Sequence, residues 1–498
     1  MTHSTSLTPP DESHALRLKF HRQDFHSLEI SLIIAVSTEL AFLPWALGGM
    51  RVWSHWIALG LSVAAFVLSL WPRDYDDRSE GQTPFRLCTW PKLLRFPIFW
   101  LGLAFLGYVT LQALNPAWVY ESDGKVFWMR QIPATTWLPV GMRAGFNLWN
   151  PWRMLVIYSA AWLTVCALWI GFTRRRAWQI LFNAIVVNGF ILAVVVALQE
   201  LKGNGKLLWY FDPPTSYFVA TIPYKNHAAT YFNLVLALTV ALGVWHFIRG
   251  LRRFDRSSPA VLFGFIAAII LMAVVFSYSR AGALLAGVFV LVTLGAVIVY
   301  QMRFATDKRM HLVSLALLVL FGVFAAVGSQ AIGFHRVIAR FDRLFKQDRV
   351  ISIERRQVVR QATFEMARDR LLFGWGAGCF RFGFPIYQHR HELLIYSSST
   401  KQNRVFWEHA HNDYVQALAE FGVAGCSVLL ALAGSAAWLL ARARFWKNPL
   451  SLLIAIGLSL VLVHAWIDFP FQNPAIITTW AVLLVGLIRW AELDTEWA

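Results

Sequence analysis

Cysteine and charge are both scarce in this chain of 498 residues. The 4 cysteines stand far apart, as Cys88, Cys166, Cys379 and Cys426, so they cannot form a disulfide framework or a cysteine-based metal cluster. Charged residues make up 15% of the chain and hydrophobic residues 57%, which is well outside the usual range for soluble globular proteins. The composition therefore excludes a disulfide-stapled domain and predicts a polytopic membrane protein.

Acidic residues are the scarcer of the two charged classes, with 28 Asp and Glu against 45 Lys and Arg and a formal net charge of +17. An excess of this size can indicate a nucleic-acid-binding protein. Here, however, many of the basic residues form short clusters between apolar segments, which is the pattern that sets membrane topology. We therefore predict contact with membrane lipids and no nucleic-acid partner. The 24 Trp residues agree, because indole rings favour the membrane interface.

Apolar runs of about 18 to 22 residues, long enough to cross a bilayer, recur along the chain. They predict about twelve spans by this length criterion, near residues 30–50, 53–71, 95–114, 152–172, 178–199, 227–248, 259–277, 281–301, 311–331, 413–440, 449–467 and 475–490. The run at 413–440 is too long for a simple span, so its first turns are expected to lie along the interface or to re-enter. The predicted fold class is all-α, with one large and partly helical loop.

Basic clusters follow every second span, and the positive-inside rule places them and both termini in the cytoplasm. The predicted organisation is a cytoplasmic tail (1–29), nine helices (30–331), a large outer loop (332–412), three helices (413–490) and a second tail (491–498). A loop of about eighty residues is too long to be a mere connection. Its many arginines indicate an anionic partner.

The densest group of titratable side chains lies where this loop returns to an apolar helix. Asn412 or Asp413 can cap that helix, on which Asp413, Gln416 and Glu420 share one face. His411 then stands near a helix N-terminus, where an anionic ligand is favoured. The alternative is a helix start whose polar residues simply meet water. His409 and His411 are also metal-ligand types, but a spacing of two suits one ion only in an extended segment, so no metal is predicted.

Arg280 ends a very short connection, Ser277-Tyr278-Ser279, between the seventh and eighth predicted spans. An arginine at the membrane edge often has a functional role. The alternative is that the Arg280 side chain simply extends to the lipid headgroups. The other polar groups on the same side favour function; they are Lys225, Asn226, His227, Arg355, Arg356, Arg360, His409 and His411, with Asp468 able to join them. Guanidinium groups match phosphate oxygens, and imidazole exchanges protons near neutral pH. These residues suit a phosphate-bearing ligand at the outer boundary of the membrane.

Three motifs resemble the O-antigen ligase and polymerase superfamily of bacterial membrane glycosyltransferases. Ser279-Arg280-Ala281-Gly282 resembles its Ser-Arg-x-Gly motif, and His411-Asn412-Asp413-Tyr414 with Ala419-Glu420-Phe421-Gly422 resembles the signature that closes its periplasmic loop. Arg356 precedes Gly374-Trp375-Gly376 with the spacing of the family's loop helix and turn. The resemblance runs from about Asn226 to Leu487. Arg360 stands where an aromatic residue is common, and Leu371 where proline is usual.

The resemblance implies a GT-C-like enzyme of the bacterial inner membrane that works on the periplasmic face. It would transfer a glycan from an undecaprenyl-diphosphate carrier with inversion, without a metal or other cofactor. Arg280 and Arg356 would bind the donor diphosphate, and His411 would be the base or orienting group for the acceptor hydroxyl. The supporting residues would be Arg355, Arg360, His409, Asn412, Asp413, Glu420, Asn226, His227 and Asp468.

The acceptor stays open at this point. A glycan acceptor means a polymerase, a lipid A core means a ligase, and a protein hydroxyl means an O-oligosaccharyltransferase. The loops at 115–151 and 200–226 are expected to contribute to the acceptor pocket. Two other classes of protein remain as alternatives, a transporter or flippase of a lipid-linked or anionic envelope precursor, and a catalytically silent scaffold.

Overall fold

The computed structural model describes residues 25–75, 85–212, 218–253, 258–304, 349–396 and 404–495. These residues are mostly helical, as predicted for a polytopic membrane protein. The long helices are α1 (Ser27–Trp45), α2 (Val52–Leu70), α4 (Pro97–Leu114), α5 (Pro151–Gly171), α6 (Arg175–Leu201), α7 (Lys225–Arg253), α8 (Ala260–Phe276), α9 (Arg280–Phe304), α10 (Arg349–Asp369), α14 (Asp413–Arg442), α15 (Pro449–Ala465) and α16 (Pro474–Thr495). The short ones are α3 (Thr89–Leu94), α11 (Phe380–Gly383), α12 (Pro385–Gln388) and α13 (Glu392–Ile395).

Every predicted span that falls on described residues coincides with one of the long helices. In the part of the chain that is described, eight helices are long and apolar enough to cross a membrane, and three shorter apolar helices lie at 260–276, 280–296 and 449–465. The predicted span at 311–331 and the first part of the predicted loop, up to residue 348, lie outside the described residues. The count of about twelve spans therefore stays a prediction.

Asparagine followed by proline starts three of these helices. Asn150 precedes Pro151, Asn448 precedes Pro449, and Asn473 precedes Pro474; each Asn side chain accepts a hydrogen bond from a backbone N–H of the first turn. Proline needs no N–H at the first helical position and already has a helical φ. Each such cap contributes about 1 kcal/mol to helix stability. This local chemistry fixes where α5, α15 and α16 begin, and α16 begins directly after the loop that carries Asp468.

Two small sheets were missed by the prediction of an all-α chain. β1 (Arg73–Tyr75) pairs with β2 (Phe85–Leu87) in antiparallel orientation. β3 (Pro116–Ser122) lies between β4 (Phe127–Gln131), its antiparallel partner, and β5 (Gly141–Arg143), its parallel partner. Strands of three to seven residues carry too little alternation to be separated from loop by sequence pattern alone.

The three-stranded sheet packs on the described part of the large loop and forms a cap on one end of the helix bundle. Trp118 of β3 stacks on Trp375 with ring centroids 4.8 Å apart, and the Arg370 guanidinium lies 4.1 Å from the Trp118 ring. Buried side chains of α10, including Val359 and Met366, complete a separate hydrophobic core. Residues 116–143 and the described part of the 332–412 loop therefore fold together, and this fixes the position of α10.

The helix α14 is broken at Gly422, which has φ +63° and ψ −171°. The segment around Gly374 passes so close to the break that a Cβ on Gly422 would lie 2.5 Å from the Leu372 carbonyl carbon. On α4, Tyr108 Oη donates to Phe421 O at 2.5 Å and Gln112 Nε2 donates to Glu420 O at 3.0 Å. The first turns of α14, which begin at Asp413, are thus held separately from the remainder of this long segment.

Candidate functional site

Asp468, in the short loop between α15 and α16, is the centre of the candidate site. Its side chain is buried, and only 1% of the residue is exposed. Oδ1 accepts a hydrogen bond from the Phe469 amide at 3.0 Å, and Oδ2 accepts from Tyr224 Oη at 3.3 Å and from Asn226 Nδ2. An ionised carboxylate can only accept hydrogen bonds, and the groups around Asp468 are hydrogen-bond donors.

His411 lies against the same carboxylate, with Nδ1 3.4 Å from Asp468 Oδ1. Its backbone is left-handed, with φ +50°, a conformation that costs a residue other than glycine about 1–2 kcal/mol. The side chain is 18% exposed, so the imidazole is held on one side and accessible on the other. A histidine oriented by a carboxylate is an arrangement that can accept a proton from a hydroxyl.

Arg356 of α10 reaches the site from the cap. Its Nη2 lies 3.8 Å from Asp468 Oδ2, and its Nη1 donates to Ile467 O at 3.2 Å. The side chain is 32% exposed. Since a guanidinium group has five N–H donors, these two contacts leave capacity to bind an anion.

Arg280 is the first residue of α9, which approaches α7 closely at this end of the bundle. A Cβ on Gly282 would lie only 2.3 Å from Ala229 Cβ, so the close approach requires glycine. Asn233 Nδ2 of α7 donates to Gly282 O at 3.0 Å. The Ser-Arg-x-Gly motif thus has a packing role at its glycine, and that packing holds Arg280 beside the start of α7.

Lys225 is the first residue of α7 and lies within electrostatic range of Arg280, Arg356 and Asp468. Lys225 therefore links Arg280 and Arg356, on two other helices, to the buried Asp468 carboxylate. The N-termini of α7 and α9 add partial positive charge. This end of the bundle is electrostatically suited to an anion.

The Phe469 ring is surrounded by aromatic and imidazole side chains. It stacks on His409 with centroids 4.2 Å apart and on Tyr224 at 5.1 Å. His411 and His227 stand nearly perpendicular to it, at 5.0 Å and 4.9 Å. Phe469 therefore fixes the orientation of the residues that surround Asp468.

His409 is buried and stacks on the ring of Phe469. Its Nε2 lies 3.4 Å from Arg381 Nη2, and Arg381 forms an ion pair with Glu408 at 3.8 Å. Burial, with the positive charge of Arg381, holds the pKa of His409 well below its ordinary value of 6.5. A neutral imidazole in this position is a packing group and an acceptor for Arg381.

The pKa of Asp468 moves in the direction that keeps the carboxylate charged. Burial alone would raise it, but the neighbouring His411 imidazole, 3.4 Å away, and the charge of Arg356 outweigh burial and hold the pKa well below its ordinary value of 3.8. Asp468 is therefore ionised throughout the physiological pH range.

The other residues named from sequence divide between structural roles and positions near the site. Asn412 is the N-cap of α14, with Oδ1 accepting from the Tyr414 and Val415 amides at 3.0 Å. Asp413 Oδ2 accepts from the Phe471 amide at 2.9 Å, which ties α14 to the Asp468 loop. His227 Nε2 lies 3.1 Å from Phe469 O.

Three further residues lie off the Asp468 centre. Glu420 is buried and accepts hydrogen bonds from the Gly378 amide and Gln416 Nε2, both at 3.1 Å. Arg355 Nη2 donates to Tyr396 O at 2.8 Å, and Arg360 lies one turn after Arg356 on α10. The structure thus brings together Asn226, Arg356, His411 and Asp468, while Glu420 and Arg355 support the cap.

Tyr224 and Phe469 were not among the site residues named from sequence. Tyr224 and Phe469 lie close in sequence to Asn226 and Asp468, which were named. This proximity was the only feature of the sequence that could have indicated them. Within the described residues, His, Cys, Asp and Glu do not form a group of three that could hold a metal ion. Metal independence remains a prediction.

Comparison with known families gives a match that includes these motifs. Residues 265–430 match the family model for O-antigen ligase. The match covers about a third of the chain and confirms the resemblance to the O-antigen ligase superfamily. No match is found among curated proteins. The family supports a glycosyltransferase-like membrane enzyme that acts on lipid-linked glycan and acceptor.

The segment that matches the O-antigen ligase model contains only part of the site. Arg280, Arg356 and His411 lie within it, whereas Asn226 and Asp468 lie outside the matched residues. The arrangement around Asp468 therefore depends on two stretches of chain beyond the segment that carries the family's pattern.

Proposed function

We propose that this protein transfers a glycan from an undecaprenyl-diphosphate donor to an acceptor hydroxyl at the periplasmic face of the bacterial inner membrane. The observation that carries the proposal is the contact of His411 with buried Asp468 beside Arg356, next to the cations that begin α7 and α9. A base and an anion-binding region at one end of a membrane bundle are what such a reaction requires. The family match supports the same class of enzyme.

His411 is the proposed base. Nδ1 faces Asp468 Oδ1 at 3.4 Å, so the other ring nitrogen is the one available to substrate. An ionised carboxylate favours the tautomer with the proton on Nδ1 and stabilises the imidazolium that forms when Nε2 accepts a second proton. The left-handed backbone at His411 agrees with a functional role, because strained residues persist where their position matters.

Arg356 and Arg280 are the proposed diphosphate ligands, with Lys225 close to both. The leaving group gains negative charge as the glycosidic bond to phosphate breaks. Preorganised cations near the membrane boundary stabilise that charge without reorganisation during the reaction. This role needs no metal ion.

One displacement accounts for the transfer. The acceptor oxygen attacks the anomeric carbon while its proton passes to Nε2 of His411. The bond between the anomeric carbon and the phosphate oxygen breaks, and its electron pair remains on the diphosphate. Attack opposite the leaving group gives inversion. The supporting contacts of Asn226 and Tyr224 with Asp468 keep the carboxylate against His411 during this step.

A transfer assay with purified protein tests the proposal. The donor is an undecaprenyl-diphosphate oligosaccharide, and the acceptors are a second lipid-linked glycan, a lipid A core and a hydroxyl-bearing peptide. We expect product from the wild type and a loss of at least about 100-fold in His411→Ala, the usual range for removal of a general base. The acceptor that is used distinguishes polymerase, ligase and protein glycosylation.

His389→Ala is the matched control, because His389 is an exposed histidine of the same cap. It should retain wild-type transfer. Transfer by His411→Ala at the wild-type rate would remove His411 from the reaction, and wild-type protein that makes no product with any acceptor would contradict the proposed function. EDTA should leave the rate unchanged; loss of activity that a divalent ion restores would show that the reaction uses a metal.

A further inference from the structure

Tyr224 stands directly before α7 and makes two different contacts with the centre of the site. Its ring stacks on Phe469 with an interplanar angle of 15°. Its hydroxyl lies 3.3 Å from Asp468 Oδ2 and 3.5 Å from Oδ1, and it accepts a hydrogen bond from Asn226 Nδ2 at 2.8 Å. The oxygen is thus fixed by one donor and directed at the carboxylate.

The Tyr224 hydroxyl is a permanent donor. Burial, with the negative charge of Asp468, holds the pKa of Tyr224 well above its ordinary value of 10.0. The proton therefore stays on the oxygen throughout the pH range in which imidazole groups titrate. The hydrogen bond from Tyr224 to the Asp468 carboxylate is therefore the same at every pH in this range.

We infer that Tyr224 is a positioning residue that holds the Asp468 carboxylate against His411. The inference rests on the proposed function for its catalytic consequence, but its physical content concerns only Tyr224, Asp468 and His411. A carboxylate that gives one oxygen to Tyr224 and Asn226 presents the other to His411 in a fixed direction. Without the hydroxyl, the Asp468 carboxylate loses one hydrogen bond. Its oxygens then interact more strongly with a charged His411 and are less well positioned.

Other charged groups also act on this pair, and a Tyr224 variant leaves them in place. The groups that act on Asp468 or that Asp468 acts on are Arg356 of α10, Lys225 and His227 of α7, His464 of α15, Asp413 of α14, and His409 of the loop before α14. Replacing Tyr224 by Phe removes one oxygen atom and keeps the ring that stacks on Phe469. A change in the titration of His411 can therefore be assigned to the hydroxyl.

The test measures the titration of His411 without relying on transfer. Full-length protein in detergent micelles is treated with diethyl pyrocarbonate between about pH 5 and 8, the range in which imidazole changes charge, and the modification of His411 is followed by peptide mass spectrometry. This reagent reacts with neutral imidazole, so the rate of modification against pH has a measurable midpoint. We expect Tyr224→Phe to move the midpoint upward by about half a pH unit, because a carboxylate with fewer hydrogen bonds favours the charged imidazole.

Tyr414→Phe is the matched control. The Tyr414 hydroxyl donates to a backbone carbonyl, Leu462 O, at 2.8 Å, and its removal should leave the midpoint unchanged. In the Asp468→Asn background, Tyr224→Phe should produce no shift, since the two residues act as one unit. An unmoved midpoint in Tyr224→Phe, or an equal shift in the Asp468→Asn background, would overturn the inference.

Kinetics then separate positioning from general damage. Tyr224→Phe should lower kcat about tenfold, as for one lost hydrogen bond to a charged group, with an unchanged KM for donor, and the acidic limb of the pH profile should move upward with the chemical titration. A loss of kcat that is equal at every pH would show a merely structural role. If the wild type transfers no glycan, the proposed function is wrong, while the titration of His411 still decides the inference.

Discussion

Replacing Asp468 by Asn is the most demanding test of the site, because it keeps the shape and removes the charge. Oδ1 faces the Phe469 amide at 3.0 Å and His411 Nδ1 at 3.4 Å, while Oδ2 faces Asn226, Tyr224 at 3.3 Å and Arg356 at 3.8 Å. A side-chain amide has one oxygen acceptor and an NH₂ group with two donors. Whichever way the substituted amide turns, its NH₂ group meets N–H or O–H donors.

The magnitude follows from this mismatch. A buried donor without an acceptor costs about 1–3 kcal/mol, so the free energy of unfolding should fall by about that amount. Loss of an orienting carboxylate lowers turnover by up to about 10⁴-fold in triad hydrolases. Because the contact of His411 with Asp468, at 3.4 Å, is longer than a short hydrogen bond, we expect the lower end, about 10² to 10³-fold in kcat.

The assay is transfer from the undecaprenyl-diphosphate donor, with thermal unfolding measured on the same detergent samples. Asp123→Asn is the control, because Asp123 lies in the exposed turn between β3 and β4 and accepts only backbone hydrogen bonds from Lys125 and Val126. It should transfer at the wild-type rate. We expect Asp468→Asn to lose about 10²-fold in kcat. A variant that keeps more than about a tenth of wild-type turnover would refute the role assigned to the carboxylate.

Three further predictions concern donor binding by Arg356, the backbone at Gly422 and the pH dependence of stability. Arg356→Gln should raise the KM for donor about tenfold, as for one lost charge-assisted contact, whereas exposed Arg390→Gln should not; equal KM values would exclude Arg356 as a donor ligand. Gly422→Ala should lower the free energy of unfolding by about 1–3 kcal/mol, because φ is +63° and Leu372 blocks the Cβ; unchanged thermal unfolding would contradict the strained geometry. His409 has a lowered pKa in the folded protein, so its contribution is complete above the unfolded pKa of about 6.5 and is lost as pH falls below it, by up to about 1.4 kcal/mol per pH unit. His409→Gln should flatten that dependence of Tm on pH, and exposed His389→Gln should not.

The helices were predictable because each carries its own signal. An apolar run such as 152–172 needs no partner to be recognised as a span, and Pro151 after Asn150 fixes its start. The cap of β3, β4 and β5 on α10 lacked such a signal. Trp118 and Trp375 stack across 257 residues of sequence (375 − 118), and no local periodicity reports a contact of that kind.

The site was predictable to the extent that its residues lie in compact motifs. His411, Arg280 and Arg356 stand out because polar residues are rare in this chain, and each marks a motif with a recognisable spacing. Glu420 stands out for the same reason, yet it binds the Gly378 amide and serves the turn rather than the carboxylate centre. Sequence showed which residues are unusual, and only the tertiary contacts separate those that surround Asp468 from those that hold the cap.

Asp468 illustrates what joins the two halves of the chain. Its donors Tyr224 and Asn226 lie 244 and 242 residues away. All three residues are outside the segment at 265–430 that matches the O-antigen ligase model and supplies His411 and Arg356. A carboxylate buried among five donors is stable only while the donors surround it, since an isolated buried charge is far more costly. The fold of α7 against α15 is therefore a condition for an ionised Asp468, and an ionised Asp468 is a condition for a base at His411. A chain that kept the motifs of 265–430 but lost Tyr224 or Asp468 would retain the family's pattern and lose the geometry on which proton transfer depends.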